Sequence, residues 1–83
     1  MAKVTYFVVL PFVEGMRGRL VPGQPRPARD RDHAVKLAAG LNGVVGAIAF
    51  SRTGDADLGE FADAEIIAEF GRIPAAGAQA YAA

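Results

Sequence analysis

The apolar positions of this chain change period from one stretch to the next. In Val4-Thr5-Tyr6-Phe7-Val8-Val9-Leu10, alternate residues Val4, Tyr6, Val8 and Leu10 share one face, and Phe7 and Val9 on the other face are apolar as well. That pattern, rich in β-branched and aromatic residues, predicts a strand over 4–10 covered on both sides and ended by Pro11, which cannot donate to a ladder. Over 31–41 the period lengthens: Ala34, Leu37, Ala38 and Leu41 fall at i, i+3, i+4 and i+7 with Val35 beside them, predicting a helix with one apolar stripe. Asp30 is a suitable N-cap, Asp32 puts negative charge at the positive end of the helix dipole, and Asn42-Gly43 supplies a left-handed stop.

A second long strand is predicted over 44–52, where Gly46, Ala47 and Ala49 leave little side-chain volume and so permit close approach by another element. A polar loop over 53–60, with Gly54 and Gly59, separates it from Glu65-Ile66-Ile67-Ala68-Glu69-Phe70, whose alternation reads as the returning strand of a hairpin. Gly71 and Pro74 close that strand. Between Glu14 and Arg29 lie Gly15, Gly18, Pro22, Gly23, Pro25 and Pro27, too many breakers for a helix. The prediction there is a short edge strand over 17–21, paired back through a turn at Glu14-Gly15, then an extended connection over 22–27. Residues 75–83, mostly Ala and Gly, offer no stripe to bury and are expected to be a disordered tail.

These elements predict an α+β domain over 1–74: a mixed sheet of three to four strands with one helix on one face, in the order β-(β)-α-β-β. A right-handed crossover would make the first two long strands parallel and leave the last two as an antiparallel hairpin. One helix covers one face, so the other is expected to stay open. By alternation it carries Thr5, Phe7, Val9, Val45, Ala47, Ala49 and Ile67. A patch of that character predicts a homodimer that buries it, and protein interaction through self-association is the expected role.

Length and charge narrow this further. A chain of 83 residues makes one small domain, and with no cysteine it has neither a disulfide framework nor a thiolate metal or redox site. A cytoplasmic address follows as the expectation. The opening apolar run is broken by Pro11 and Glu14 with no small-x-small site after it, so it reads as a strand and not as a leader, and no stretch reaches the ~20 apolar residues of a membrane span. Basic and acidic residues balance at 9 each, which argues against a domain held to nucleic acid by bulk charge. The signs are nevertheless segregated: Arg17, Arg19, Arg26, Arg29, Arg31 and Lys36 lie in the first half, Asp55, Asp57, Glu60, Asp63, Glu65 and Glu69 in the second. Attraction between the two halves within the fold is the simplest reading.

No motif carries a chemistry. Asp55-x-Asp57-x-Gly59 has the opening of a calcium loop, but the third ligand position is Gly59, the obligatory glycine position is Glu60 and the twelfth is Ile66. His33 is the lone histidine and reads as a surface residue of the first helical turn, and neither metal nor cofactor is expected. Ser51-Arg52-Thr53 at a strand end lacks a nucleophile context, and Gly15-x-x-Gly18 lacks the Gly-Lys-Ser/Thr ending of a phosphate loop. Arg17, Arg19, Arg26, Arg29, Arg31 and Arg52 are the candidate contacts for an anion or nucleic acid, with Tyr6 or Phe12 as stacking partners. Two alternatives to self-association follow: a nucleic-acid accessory protein using the basic 17–31 segment, or a binder of a small anionic ligand between the 22–29 connection and the strand end at Arg52. Tyr81-Ala82-Ala83 is similar to the apolar C-terminal tags read by bacterial unfoldase-proteases.

Tyr6-Phe7-Val8-Val9-Leu10-Pro11-Phe12, Gly18-Arg19-Leu20-Val21-Pro22-Gly23, Ala47-Ile48-Ala49-Phe50-Ser51-Arg52-Thr53-Gly54-Asp55 and Phe70-Gly71-Arg72-Ile73-Pro74 together resemble a family of small proteobacterial proteins with no assigned function. The resemblance covers 4–74. It implies a single complete domain from a bacterium and brings no site residue with it.

Overall fold

The computed structural model describes residues 3–55 and 57–82. Strand β1 (Lys3–Glu14) is followed by a 3-10 turn at Met16–Gly18, short strands β2 (Leu20–Pro22) and β3 (Arg26–Ala28), helix α1 (Arg31–Gly40), strand β4 (Gly46–Asp55), a short β5 (Glu60–Phe61), strand β6 (Glu65–Gly71) and a one-turn helix α2 (Ala78–Tyr81). The α+β class matches the expectation, but the sheet has six strands where three to four were expected, and a second, one-turn helix follows β6. The sheet itself is antiparallel at every pairing and not mixed, with β1 and β4 side by side at its centre.

The difference lies in one strand. β2 and β3 both pair antiparallel with β1, from Glu14↔Leu20 to Phe7↔Ala28, and act as one interrupted edge strand that has already reversed the chain before α1 begins. The crossover through α1 therefore joins β3 to β4, which run parallel to each other with β1 between them. β1 pairs with β4 from Lys3↔Asp55 to Phe12↔Gly46.

β1 also continues through Pro11 to Glu14 instead of ending there. In an antiparallel ladder the N–H and C=O of one residue point to the same side. The Pro11 carbonyl accepts from the Gly23 N–H at 2.8 Å, so its missing N–H faces the break between β2 and β3, where no ladder bond is lost.

Asp30 caps α1 as expected, its Oδ1 accepting from the His33 N–H at 2.8 Å, while His33 Nδ1 accepts from the Arg29 N–H at 2.9 Å. The lone histidine is thus engaged at the helix entry. The basic first half and the acidic second half meet in one ion pair among the described residues, Arg31 with Glu65 at 3.1 Å; a second pair has the opposite sense, Arg72 with Glu14 at 2.6 Å, and Arg72 also reaches the Gly18 carbonyl. All four side chains are about half exposed or more, so each pair contributes no more than ~1 kcal/mol.

Phe7, Val9, Ala47, Ala49 and Ile67 do share a face, but it is the face on which α1 lies, so it is not open. Ala34 and Ala38 of α1 pack against Val9, Ala47 and Ala49, all buried. The fit is one of volume: an alanine stripe can lie close only on an equally small surface, and Ala47 and Ala49 provide it. Val45 is half-buried just before β4, with its carbonyl accepting from the Arg72 N–H. A bulge at Ala49/Phe50 in the β4–β6 register leaves Ile67 without a partner and sets it on the α1 face together with Ala68, while Ile66 packs on the second face.

The second face carries the larger Leu10, Phe12, Ile48 and Phe50. Residues expected as a disordered tail cover part of it: Ala78 and Ala82 are buried, the Tyr81 ring meets Phe12 edge-on at 5.3 Å, and Gln79 Nε2 donates to the Ala64 carbonyl at 2.9 Å. Large side chains on the sheet leave sockets that small residues fill, which gives an apolar stripe-free segment a place to dock. Ala82 of the expected C-terminal tag is therefore buried, and Ala83 lies outside the described residues.

Candidate functional site at the bare end of the sheet

A 12-residue strand spans about 40 Å at ~3.3 Å per residue, whereas the 10-residue α1 spans about 15 Å at 1.5 Å per residue. Neither α1 on the first face nor the one-turn α2 on the second can cover the whole sheet, and the protein's overall dimensions of 46 × 23 × 16 Å reflect that overhang. The bare end is formed by the start of β1, the end of β4 and β5.

On the second face of this end, Tyr6 of β1 lies directly opposite Arg52 of β4, and Val8 opposite Phe50. Phe61 of β5 completes the group: its ring lies 5.8 Å from Tyr6 with the planes tilted at 36°, and the Arg52 guanidinium sits 5.7 Å from its centroid. Gly54 makes this possible. A Cβ there would lie 2.1 Å from the Glu60 carbonyl oxygen and 2.6 Å from the Phe61 Cα, so only glycine lets β5 pair this closely with β4 and set Phe61 opposite Gly54.

Tyr6, Val8, Arg52 and Phe61 line a cavity of about 240 Å³. Tyr6 is 50% exposed, so the cavity opens to solvent beside its ring. Arg52 is held mainly by packing. Its Nη2 donates to the Ala62 carbonyl at a long 3.4 Å, and its buried Nε meets no acceptor among the described residues. The ion pairs of the described residues use Arg31 and Arg72, so Arg52 sits among aromatic walls with no carboxylate against it. A buried donor left without an acceptor costs ~1–3 kcal/mol, and more when it belongs to a charged group.

The remaining candidate arginines are not gathered around Arg52. Arg17 and Arg19 are exposed at the turn beyond Glu14, Arg26 and Arg29 are exposed at the β3 edge, and Arg31 is engaged with Glu65. From the turn to Tyr6 is roughly 26 Å along β1 at ~3.3 Å per residue, so Arg17 and Arg19 stand far from Arg52, while Arg26 and Arg29 lie on the other side of β1 from β4. The expected pocket between the 22–29 connection and Arg52 is also displaced, because β1 stands between β3 and β4. The wall opposite Arg52 comes from Phe61 instead.

Phe12, the other expected stacking residue, is fully buried under Tyr81. Ser51 is buried with no basic partner, and Thr53 shares a hydrogen bond with Thr5 across the strands at 2.9 Å. Asp55 Oδ1 accepts from the backbone of Asp57 and Leu58, closing the acidic loop on itself. No group of acidic or histidine side chains able to hold a metal occurs among the described residues, nor is any helix among them long and apolar enough to cross a membrane.

Phe61 is the site residue that the sequence reading passed over. Its signal was present: a single aromatic inside a polar, acidic stretch, following a strand that carries a glycine two residues after Arg52 and so on the same face. No protein-family model, no curated protein and no solved structure matches this chain.

Proposed function

We propose that this chain is a binding domain that takes a small anionic ligand at Arg52. The observation that carries the reading is the state of that arginine: partly buried between aromatic rings, its Nε without an acceptor and no carboxylate beside it. An anion entering the cavity gives the guanidinium the charge-assisted hydrogen bonds that the fold withholds. The test is thermal unfolding with a panel of small carboxylates and phosphates on the wild type and on Arg52→Gln. At tenfold excess over Kd, a bound anion adds about 1.4 kcal/mol, a rise in Tm on the order of 5–10 °C for a domain this size. Arg52→Gln should show no rise. Silence of the wild type across the panel sinks the reading.

A second reading, self-association, moves from the helix-covered face to this end of the sheet. Tyr6 and Leu58 are 50% and 63% exposed there, and Arg52 lies beside the acidic loop bearing Asp55, Asp57 and Glu60. A two-fold contact between copies sets each copy's arginine toward the other's acidic loop, so the patch is self-complementary in charge as well as apolar. Sedimentation equilibrium of the wild type should then give a dimer, and Tyr6→Glu a folded monomer. A wild-type monomer at all concentrations, or a variant that stays dimeric, removes this interface.

A further inference from the structure

We infer that the anion held at Arg52 is a single-ring aromatic monocarboxylate, an inference that rests on the anion-binding reading above. Size sets the first limit. An apolar cavity of ~150 Å³ accommodates benzene, and pockets for drug-sized ligands begin near 300 Å³. The 240 Å³ bounded by Tyr6, Val8, Arg52 and Phe61 lies between them, enough for one ring and one small polar group.

Charge sets the second limit. Among the described residues Arg52 is the one cation lining the cavity, and of the side chains that line it with Arg52 (Tyr6, Val8 and Phe61) the Tyr6 hydroxyl alone adds a donor. A phosphate dianion needs several donors or cations around it, whereas one planar guanidinium fork matches one carboxylate. The nearby Asp55, Asp57 and Glu60 add negative charge to the same end of the sheet and disfavour a second charge on the ligand.

The walls set the third. The Tyr6 and Phe61 rings are tilted at 36° with centroids 5.8 Å apart, so neither stacks flat on the other, and Tyr6 keeps half its surface free. A ligand ring placed against Tyr6 meets it at the 4.5–7 Å centroid separations that favour offset or edge-on aromatic pairs. Its carboxylate then points across from β1 to Arg52 on β4, and its hydrocarbon edge rests on Val8.

Isothermal titration with benzoate, cyclohexanecarboxylate, acetate and benzyl alcohol separates these limits. Benzoate should bind about two- to tenfold more tightly than cyclohexanecarboxylate, the increment of one aromatic pair, and more tightly again than acetate, with benzyl alcohol giving no heat. Tyr6→Leu should remove the preference for benzoate over cyclohexanecarboxylate while both acids still bind, and Arg52→Gln should abolish binding of both. Circular dichroism checks that each variant is folded. If acetate, cyclohexanecarboxylate and benzoate bind equally, the aromatic inference fails and anion binding stands. If no carboxylate binds, both fail; if benzyl alcohol binds as well as benzoate, the site is apolar and Arg52 has no part in it.

Discussion

Phe12→Ala should lower the unfolding free energy by about 3–5 kcal/mol, the range for removing a buried aromatic side chain. At ~0.05–0.15 kcal/mol per residue the whole 83-residue domain holds only about 4–12 kcal/mol, so this one change takes roughly a quarter or more of it. Phe12 is at 0% exposure, lies in one cluster with Leu10, Ile48 and Phe50, and is capped edge-on by Tyr81. The truncation leaves a cavity that Ala78 and Ala82 are too small to fill, and it removes the ring on which α2 rests. Urea unfolding of wild type and variant measures the difference. A loss below about 1.5 kcal/mol, well short of the buried-aromatic range, would mean that the C-terminal segment does not seal Phe12 from water.

The same segment shows where sequence reading stops. Periodicity reports which residues of a strand share a face, and on that it succeeded: Phe7, Val9, Ala47, Ala49 and Ile67 do lie together. It does not report what covers the face, because Leu10, Phe12, Ile48 and Phe50 on the reverse side are equally apolar. The deciding quantity was volume, with alanines of α1 matching alanines of β4, and the notice of it lay in Ala34, Ala38, Ala47 and Ala49 together.

Pro11 misled for a related reason. The rule that proline ends a central strand concerns its missing N–H, and whether that loss matters depends on the partner it faces, here the gap between β2 and β3. The 78–82 segment lacks a stripe and so gave no periodic signal, yet Ala78 and Ala82 fill sockets between larger side chains. At the site, Tyr6 and Arg52 were both named from the sequence, but their pairing depends on the β1–β4 register, and Phe61 joins them only because β5 pairs closely with β4 at Gly54.

Gly46→Ala should be strongly damaging, with a loss of about 3 kcal/mol, at or above the upper end of ordinary overpacking. A Cβ on Gly46 would stand 1.9 Å from the Arg72 carbonyl oxygen, 2.8 Å from its carbon and 2.9 Å from its nitrogen. These are backbone atoms and cannot rotate away. They belong to the point where the chain leaves β6, paired there as Gly46↔Gly71, and turns across the second face to bring Ile73 and α2 over the core. Two further glycines separate crowding from backbone strain. Gly59 has φ +69° with nothing within 4 Å of a Cβ, so Gly59→Ala meets only the left-handed penalty of roughly 1–2 kcal/mol. Gly40, the last residue of α1, has neither constraint, and Gly40→Ala should stabilise the protein by up to about 0.5–1 kcal/mol. Unfolding midpoints of the three variants should therefore fall in the order Gly40→Ala, Gly59→Ala, Gly46→Ala. If Gly46→Ala is no worse than Gly59→Ala, the chain does not cross β4 at van der Waals contact, and the cover over Phe12 loses its anchor.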